Sequence, residues 1–152
     1  MIKYFFSTFV IFLFFVGGTF CQSGQCSQTL HEAYTLQPEL TQLVLDLGEG
    51  KVEIRQTKGS RIAVETIVVV SGLGNDKMLN FLVEQGRYTL NMDTDLTTGT
   101  IRISNNKTRN ILMVKGQQCQ EDFTYIVYVP SSIKTVQNKS ETSPSAQLPQ
   151  PK

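Results

Sequence analysis

The chain has no tryptophan, one histidine, three cysteines and five prolines. A single histidine rules out a histidine-rich metal centre. His31, Cys26 and Cys119 also lack the paired spacing of a zinc site. The same scarcity argues against a catalytic thiol. His31 lies close to Cys26 in sequence, but Gln25-Cys26-Ser27 matches no protease signature. Charge of one sign is missing too. With 14 Lys and Arg against 13 Asp and Glu, no chain-wide basic field exists to grip nucleic acid. What remains is a chain of 152 residues, 40% hydrophobic and 18% charged, which suits one globular domain. No cofactor is expected, and no specific activity can be read from composition.

The first segment, Met1 to Phe20, has the pattern of an export signal. Lys3 supplies a positive start, Phe9 to Val16 is an unbroken apolar run, and Gly17, Gly18 and Thr19 end it with small residues. The run is short of the roughly 20 residues that span a bilayer. Thr19 and Cys21 suit cleavage before Gln22, so residues 1–21 are assigned to the leader. An uncleaved N-terminal anchor and lipidation of Cys21 are the alternatives, and Phe20 is bulky for the position before a lipidated cysteine. Loss of Lys3 would bring the 14 basic side chains level with the 13 acidic ones. Cys26 and Cys119 then remain as an even pair in an oxidising compartment, which predicts a disulfide between them, worth about 4–5 kcal/mol in the chain-entropy model.

Residues 22–40 are polar and Gln-rich and read as an irregular segment. From Thr41 to Val136 the pattern is that of strands. Leu43, Leu45 and Leu47 share a face; Val52 and Ile54 alternate with Lys51, Glu53 and Arg55 across a Gly48-Glu49-Gly50 turn. Ile62, Val64, Thr66, Val68 and Val70 form the next alternating face, and Ile67 and Val69 suggest that the far end of this strand is covered on both sides. Tyr88, Leu90 and Met92, then Ile101 and Ile103, then Ile111 to Val114, then Phe123 to Val129 and Ile133 to Val136 continue the series. Asn105-Asn106-Lys107 reads as a hairpin turn. Between these strands the period changes: Met78, Leu79, Leu82 and Val83 form one helical stripe over residues 77–85, with Asn75 or Asp76 as cap and Gly86 as stop. Residues 137–152 carry three of the five prolines and one bulky apolar side chain, Leu148, and read as a disordered tail. The expected fold is all-β: a single β-sandwich or roll, or a short β-solenoid-like domain, with one short helix.

Few motifs bear chemistry. Gly72-Leu73-Gly74 between a strand and a helix resembles the start of a dinucleotide site, but Lys77 stands where the third glycine belongs and no further βα unit follows. Asp93 and Asp95 are weak candidates for calcium, since Thr98 and Ser104 occupy the positions where an EF-hand loop has Gly and Glu. Glu121 and Asp122 are adjacent on a strand and so point to opposite faces, as ordinary exposed carboxylates. Arg102, Lys107, Arg109 and Lys115 form a locally basic stretch without interleaved aromatics, the pattern of a solvated strand face. Asn106-Lys107-Thr108 and Asn138-Lys139-Ser140 are glycosylation sequons.

Leu45-Asp46-Leu47-Gly48-Glu49-Gly50-Lys51-Val52-Glu53-Ile54, followed by Arg61 to Thr66, Met78 to Leu82, Gly86-Arg87-Tyr88 and Tyr125 to Pro130, resembles a family of exported bacterial domains of unknown function described as adhesin-like. The resemblance covers roughly Leu43 to Val136. It implies an all-β module, solenoid- or sandwich-like, on the outer side of the cell, and carries over no catalytic residue. Together these readings lead to the expectation of a secreted, periplasmic or envelope-associated β-domain that binds or scaffolds without catalysis. Its partner would be an envelope or extracellular protein or a glycan, not nucleic acid. It would meet the membrane through an uncleaved leader or a lipidated Cys21. A small-ligand or calcium-binding exported protein is the alternative.

Overall fold

The computed structural model describes residues 20–22, 24–106 and 110–138. These form eleven strands and one helix: β1 (Phe20–Gln22), β2 (Gln25–Thr35), β3 (Gln42–Asp46), β4 (Lys51–Thr57), β5 (Arg61–Ser71), α1 (Asp76–Glu84), β6 (Asn91–Asp95), β7 (Thr100–Ser104), β8 (Met113–Val114), β9 (Gln117–Gln118), β10 (Gln120–Pro130) and β11 (Thr135–Asn138). The fold is all-β with a short helix, as the alternation predicts. A five-stranded sheet runs in the order β1-β2-β5-β10-β4, a four-stranded sheet in the order β11-β3-β7-β6, and β8 and β9 form a small ribbon.

Three long strands, β2, β5 and β10, carry the architecture. Each turns alternate side chains inward, and their inner face is covered by two different partners. At one end Tyr34, Ile62, Val64, Val127 and Val129 pack against Leu43, Leu45, Ile101 and Ile103 of the four-stranded sheet. At the other end Cys26, Leu30, Val68 and Val70 pack against Leu79 of α1 and Tyr88. Burial of each such aliphatic side chain is worth roughly 1.5–3 kcal/mol. Ile67 and Val69 belong to the outer face of the same strand and stay half-buried, so the expected second covering is not present.

Strands β3 and β4 lie in different sheets, and the Gly48-Glu49-Gly50 corner joins them. Gly50 has φ +147°, and a Cβ there would come within 2.9 Å of the Tyr125 ring and 3.2 Å of Phe123. The corner therefore needs glycine for both its backbone angle and its closeness to β10. β4 then runs parallel to β10 at the sheet's edge, where Lys51, Glu53 and Arg55 are exposed. Charged side chains on an edge strand discourage pairing with a foreign strand.

Helix α1 begins where its sequence signals place it. The Asn75 side chain accepts from the Met78 N–H at 3.0 Å. At the other end Gly86, φ +72°, donates to the Val83 carbonyl and Arg87 donates to the Leu82 carbonyl, which is a Schellman stop. Leu79 is buried, Leu82 and Val83 are half-buried, and Met78 falls outside the stripe as an exposed residue.

Besides the covering of Ile67 and Val69, four expectations of the fold need correction. Residues 22–40 are not irregular: β2 is an eleven-residue central strand paired with β5 from Gln25 to Thr35. Its inward positions are Cys26, Gln28, Leu30, Glu32 and Tyr34. Two of these five are polar, which hides the alternation from a reading based on hydrophobicity. Second, Asn105 and Asn106 do not turn a hairpin. β7 pairs with β3 and β6, and its hairpin is the preceding Leu96–Gly99 turn; Lys107 and Arg109 lie outside the described residues. Third, Gln137 and Asn138 belong to β11, parallel to β3, rather than to a tail. The remainder of the predicted tail and the leader through Thr19 lie outside the described residues, as do Lys139 and Ser140 of the second sequon.

The fourth correction concerns the cysteines. Cys119 is a buried free thiol, so the Cys26–Cys119 bridge is not formed. Cys26 is disulfide-bonded, and Cys21 stands opposite it in the β1–β2 ladder. Register explains the failure. Cys26 shares a row with Val70 and Glu121, so β5 separates it from β10. Two strand spacings amount to about 9–10 Å, beyond the roughly 4.4–6.8 Å between Cα atoms that a disulfide tolerates. Alkylation of the native protein should leave Cys119 unmodified, and denaturant without reductant should expose it. Recovery of a Cys26–Cys119 cross-linked peptide would contradict this register.

Glu32 is 3% exposed on the inner face of β2. One carboxylate oxygen accepts from the Tyr34 hydroxyl at 2.6 Å, and the other accepts from the Leu90 backbone N–H at 3.1 Å. Burial raises its pKa above the usual 4.5, more than these two hydrogen bonds lower it. The folded chain thus holds the proton more tightly than the unfolded chain. Its stabilising effect is fully present below the unfolded pKa and is lost as pH rises through the higher folded value. Glu32→Gln should flatten that part of the melting temperature against pH curve while staying within about 1 kcal/mol of the parent. Glu32→Ala should cost about 2–3 kcal/mol by orphaning the Leu90 N–H and Tyr34 hydroxyl. An unchanged pH profile in Glu32→Gln would assign the effect to another group.

Candidate functional site

A cleft with polar walls lies beside the β3–β4 corner. Three segments surround it: Gly48 to Lys51 at the corner, Asn105 and Asn106 just beyond β7 with Asn110 to Leu112, and Gln118 to Phe123 leading into β10. Its volume is about 1070 Å³. That is slightly above the ~300–1,000 Å³ typical of small-molecule sites.

Asn105 is the anchor. Parallel pairing of β3 with β7 sets Ser104 opposite Asp46, which brings Asn105 alongside the corner. The Asn105 backbone N–H donates to the Asp46 carbonyl at 3.3 Å, and its side-chain Nδ2 donates to the Leu47 carbonyl. These bonds fix the amide plane. Asn105 is 8% exposed, and its Oδ1 is buried without a hydrogen-bond partner. Leaving such an acceptor unmet costs about 1–3 kcal/mol.

The opposite wall is held by an ion pair. Glu121 points inward from β10, and Arg87 follows α1. Arg87 Nε donates to Glu121 Oε1 at 2.9 Å and Nη2 to Oε2 at 2.8 Å, the bidentate geometry that guanidinium favours. The Tyr88 hydroxyl donates to Glu121 Oε1 at 2.7 Å. Arg87 Nη2 also donates to the Asn110 carbonyl at 2.6 Å, tying the wall of the cleft to the helix connector. Both charged side chains are 15% exposed. The hydrogen bond to Glu121 pushes the Arg87 pKa upward, and burial followed by the same carboxylate raises that of the Tyr88 phenol. Glu121 is therefore not the ordinary exposed carboxylate that the sequence suggested, whereas Asp122 is exposed and does face the other way.

The other sequence candidates lie apart. Asp95 closes its own turn, accepting from the N–H and hydroxyl groups of both Thr97 and Thr98. Those bonds hold its carboxyl below the usual range. Among the described residues no group of three His, Cys, Asp or Glu side chains is placed to hold a metal ion. Gly72 and Gly74 join β5 to α1, with the Gly72 N–H donating to the Gly24 carbonyl, and Cys119 lies against Gly72. Arg102 projects from the exposed side of β7. His31 is on the outer sheet face, 3.8 Å from Glu65.

The cleft amides Asn105, Asn106, Asn110, Gln118 and Gln120 escaped a sequence reading because they come from separate turns and strand ends. Their one visible signal is the density of amides between positions 105 and 120. Comparison with known proteins finds no matching family model, no similar curated protein and no matching solved structure.

The wall should respond sharply to loss of its ion pair. Arg87→Ala strands the Glu121 carboxylate and is expected to cost about 2–3 kcal/mol in denaturant unfolding, short of the roughly 3–5 kcal/mol of a fully buried pair. A change under about 0.5 kcal/mol would place this pair among ordinary surface contacts.

Proposed function

We propose that this chain is a secreted or envelope-associated domain that acts by non-enzymatic binding, with the cleft beside the β3–β4 corner as its binding site. The observation that carries the reading is the cleft itself, bordered by Asn105, whose Nδ2 is spent on the Leu47 carbonyl and whose Oδ1 is buried without a hydrogen-bond partner. The carboxylates nearby support binding over catalysis. Glu121 is held by Arg87 and Tyr88, and Glu32 is sealed within the sheet core. Neither is poised to exchange a proton with a bound molecule. The alternative of a calcium-binding protein has less support, because the carboxylate oxygens of Asp95 serve its own turn. The export pattern of the leader and the likeness to adhesin-like exported domains support the outer side of a bacterial cell as the place of action.

The test is binding of the purified protein to envelope material separated into protein, polysaccharide and lipid fractions. Gln118→Arg, which fills the cleft from an exposed position, should weaken capture of one fraction at least tenfold at an unchanged melting temperature. Equal capture by parent and variant, or chemical conversion of the captured molecule, would overturn the reading.

A further inference from the structure

We infer that the open edge of β2 takes up an extended segment of another polypeptide as an added strand. This goes beyond the cleft, since β2 lies towards the opposite border of the large sheet from β4. Register shows which backbone groups are involved. The Gly72 N–H donates to the Gly24 carbonyl and the Leu36 N–H to the Ser60 carbonyl, one at each end of the β2–β5 ladder and in its register. Antiparallel pairs alternate between bonded and non-bonded. The even-numbered residues of β2 therefore spend their backbone groups on β5, and the odd-numbered ones point away from it. β1 covers Gln25 and Ser27. Thr29, His31, Ala33 and Thr35 remain, and among the described residues none of their backbone groups has a strand or loop partner. They form a row of N–H and C=O groups repeating about every 6.8 Å. A sugar, lipid or ion does not match such a row along its length, whereas a second extended backbone does.

The other sheet edges are guarded. β4 presents Lys51, Glu53 and Arg55, β6 presents Asp93 and Asp95, and β11 has only four residues. Charge and shortness are devices by which edges avoid adding strands. β2 has eleven residues, no proline and an unbroken register with β5. The side chains beside its open backbone groups are those of Thr29, His31, Ala33 and Thr35, with no Lys, Arg, Asp or Glu among them. Such positions favour small and β-branched side chains opposite them. Glu32, which faces inward, selects against a second copy of this chain. Two β2 edges joined antiparallel through all four residues would set Thr29 against Thr35 and His31 against Ala33. Each Glu32 would then lie directly opposite the other, and like acids in that position destabilise a strand pair. The occupant is therefore an uncharged segment of a different protein, matching the stretch from Thr29 to Thr35 in length.

The experiment uses the purified protein. Amide hydrogen exchange, followed by NMR, comes first. Thr29, His31, Ala33 and Thr35 should exchange about a hundredfold faster than Leu30, Glu32 and Tyr34, whose N–H groups face β5. Equal protection would mean that the edge is covered and would overturn the proposal. A random library of displayed peptides, each about seven residues long, is then selected against the protein. The selected peptides should be uncharged and rich in Val, Ile and Thr, and should slow exchange at the four edge amides. Ala33→Pro removes an N–H that the β5 ladder does not use, and Thr29→Lys/Ala33→Lys sets charge along the edge. Each should weaken the selected peptides at least about tenfold, at an unchanged melting temperature. Lys58→Ala, in the turn between β4 and β5, should bind as the parent does. Peptides whose affinity ignores both edge variants, or a selection that yields none, would overturn the proposal. A dimer in sedimentation that the edge variants dissolve would give the edge to a second copy and overturn the choice of occupant. None of these outcomes bears on the cleft.

Discussion

Two carboxylates on the inner face of the large sheet hold the rest of the molecule in place. Glu32 from β2 and Glu121 from β10 reach the connector between α1 and β6 at opposite ends. Glu121 takes Arg87 and Tyr88, and Glu32 takes the Leu90 N–H. That short connector crosses from one core to the other: Tyr88 belongs to the cluster under the helix and Leu90 to the cluster between the sheets. Hydrophobic packing does not dictate where a connector sits along a sheet. Directed hydrogen bonds to fixed carboxylates do, at the cost of burying Glu32, whose two hydrogen bonds do not fully offset its desolvation.

The same device positions the cleft. Arg87, aligned by Glu121, reaches on to the Asn110 carbonyl and so fixes one wall relative to the helix connector. The facing wall is fixed by Asn105, which binds the β3–β4 corner through backbone and side chain. Gly50 lets that corner press against Tyr125 and Phe123. A polar space with rigid walls is a setting in which amide groups can recognise a ligand by geometry rather than by net charge.

The alternation of Ile62 to Val70 and of Phe123 to Val129 was legible because those inward positions are almost all apolar. The helix was legible because Asn75, Leu79 and Gly86 act within a few residues of one another. β2 was not legible, since Gln28 and Glu32 occupy inward positions; Glu32 is met by the Leu90 N–H, distant in sequence, and by Tyr34, while Gln28 Oε1 is buried without a hydrogen-bond partner. The disulfide expectation failed for a related reason. Parity of cysteines does not contain the strand order that puts β5 between Cys26 and β10.

The sequence by itself determined that this is a β-rich chain with one capped helix, punctuated by glycine corners and led by an apolar segment. These properties follow from local periodicity and from backbone angles that particular residues permit. The tertiary structure alone decided which polar residues turn inward, which carboxylate meets which cation, and that Asn and Gln residues scattered in sequence border one cleft. Those outcomes depend on strand order and register, which bring together groups that the chain keeps far apart.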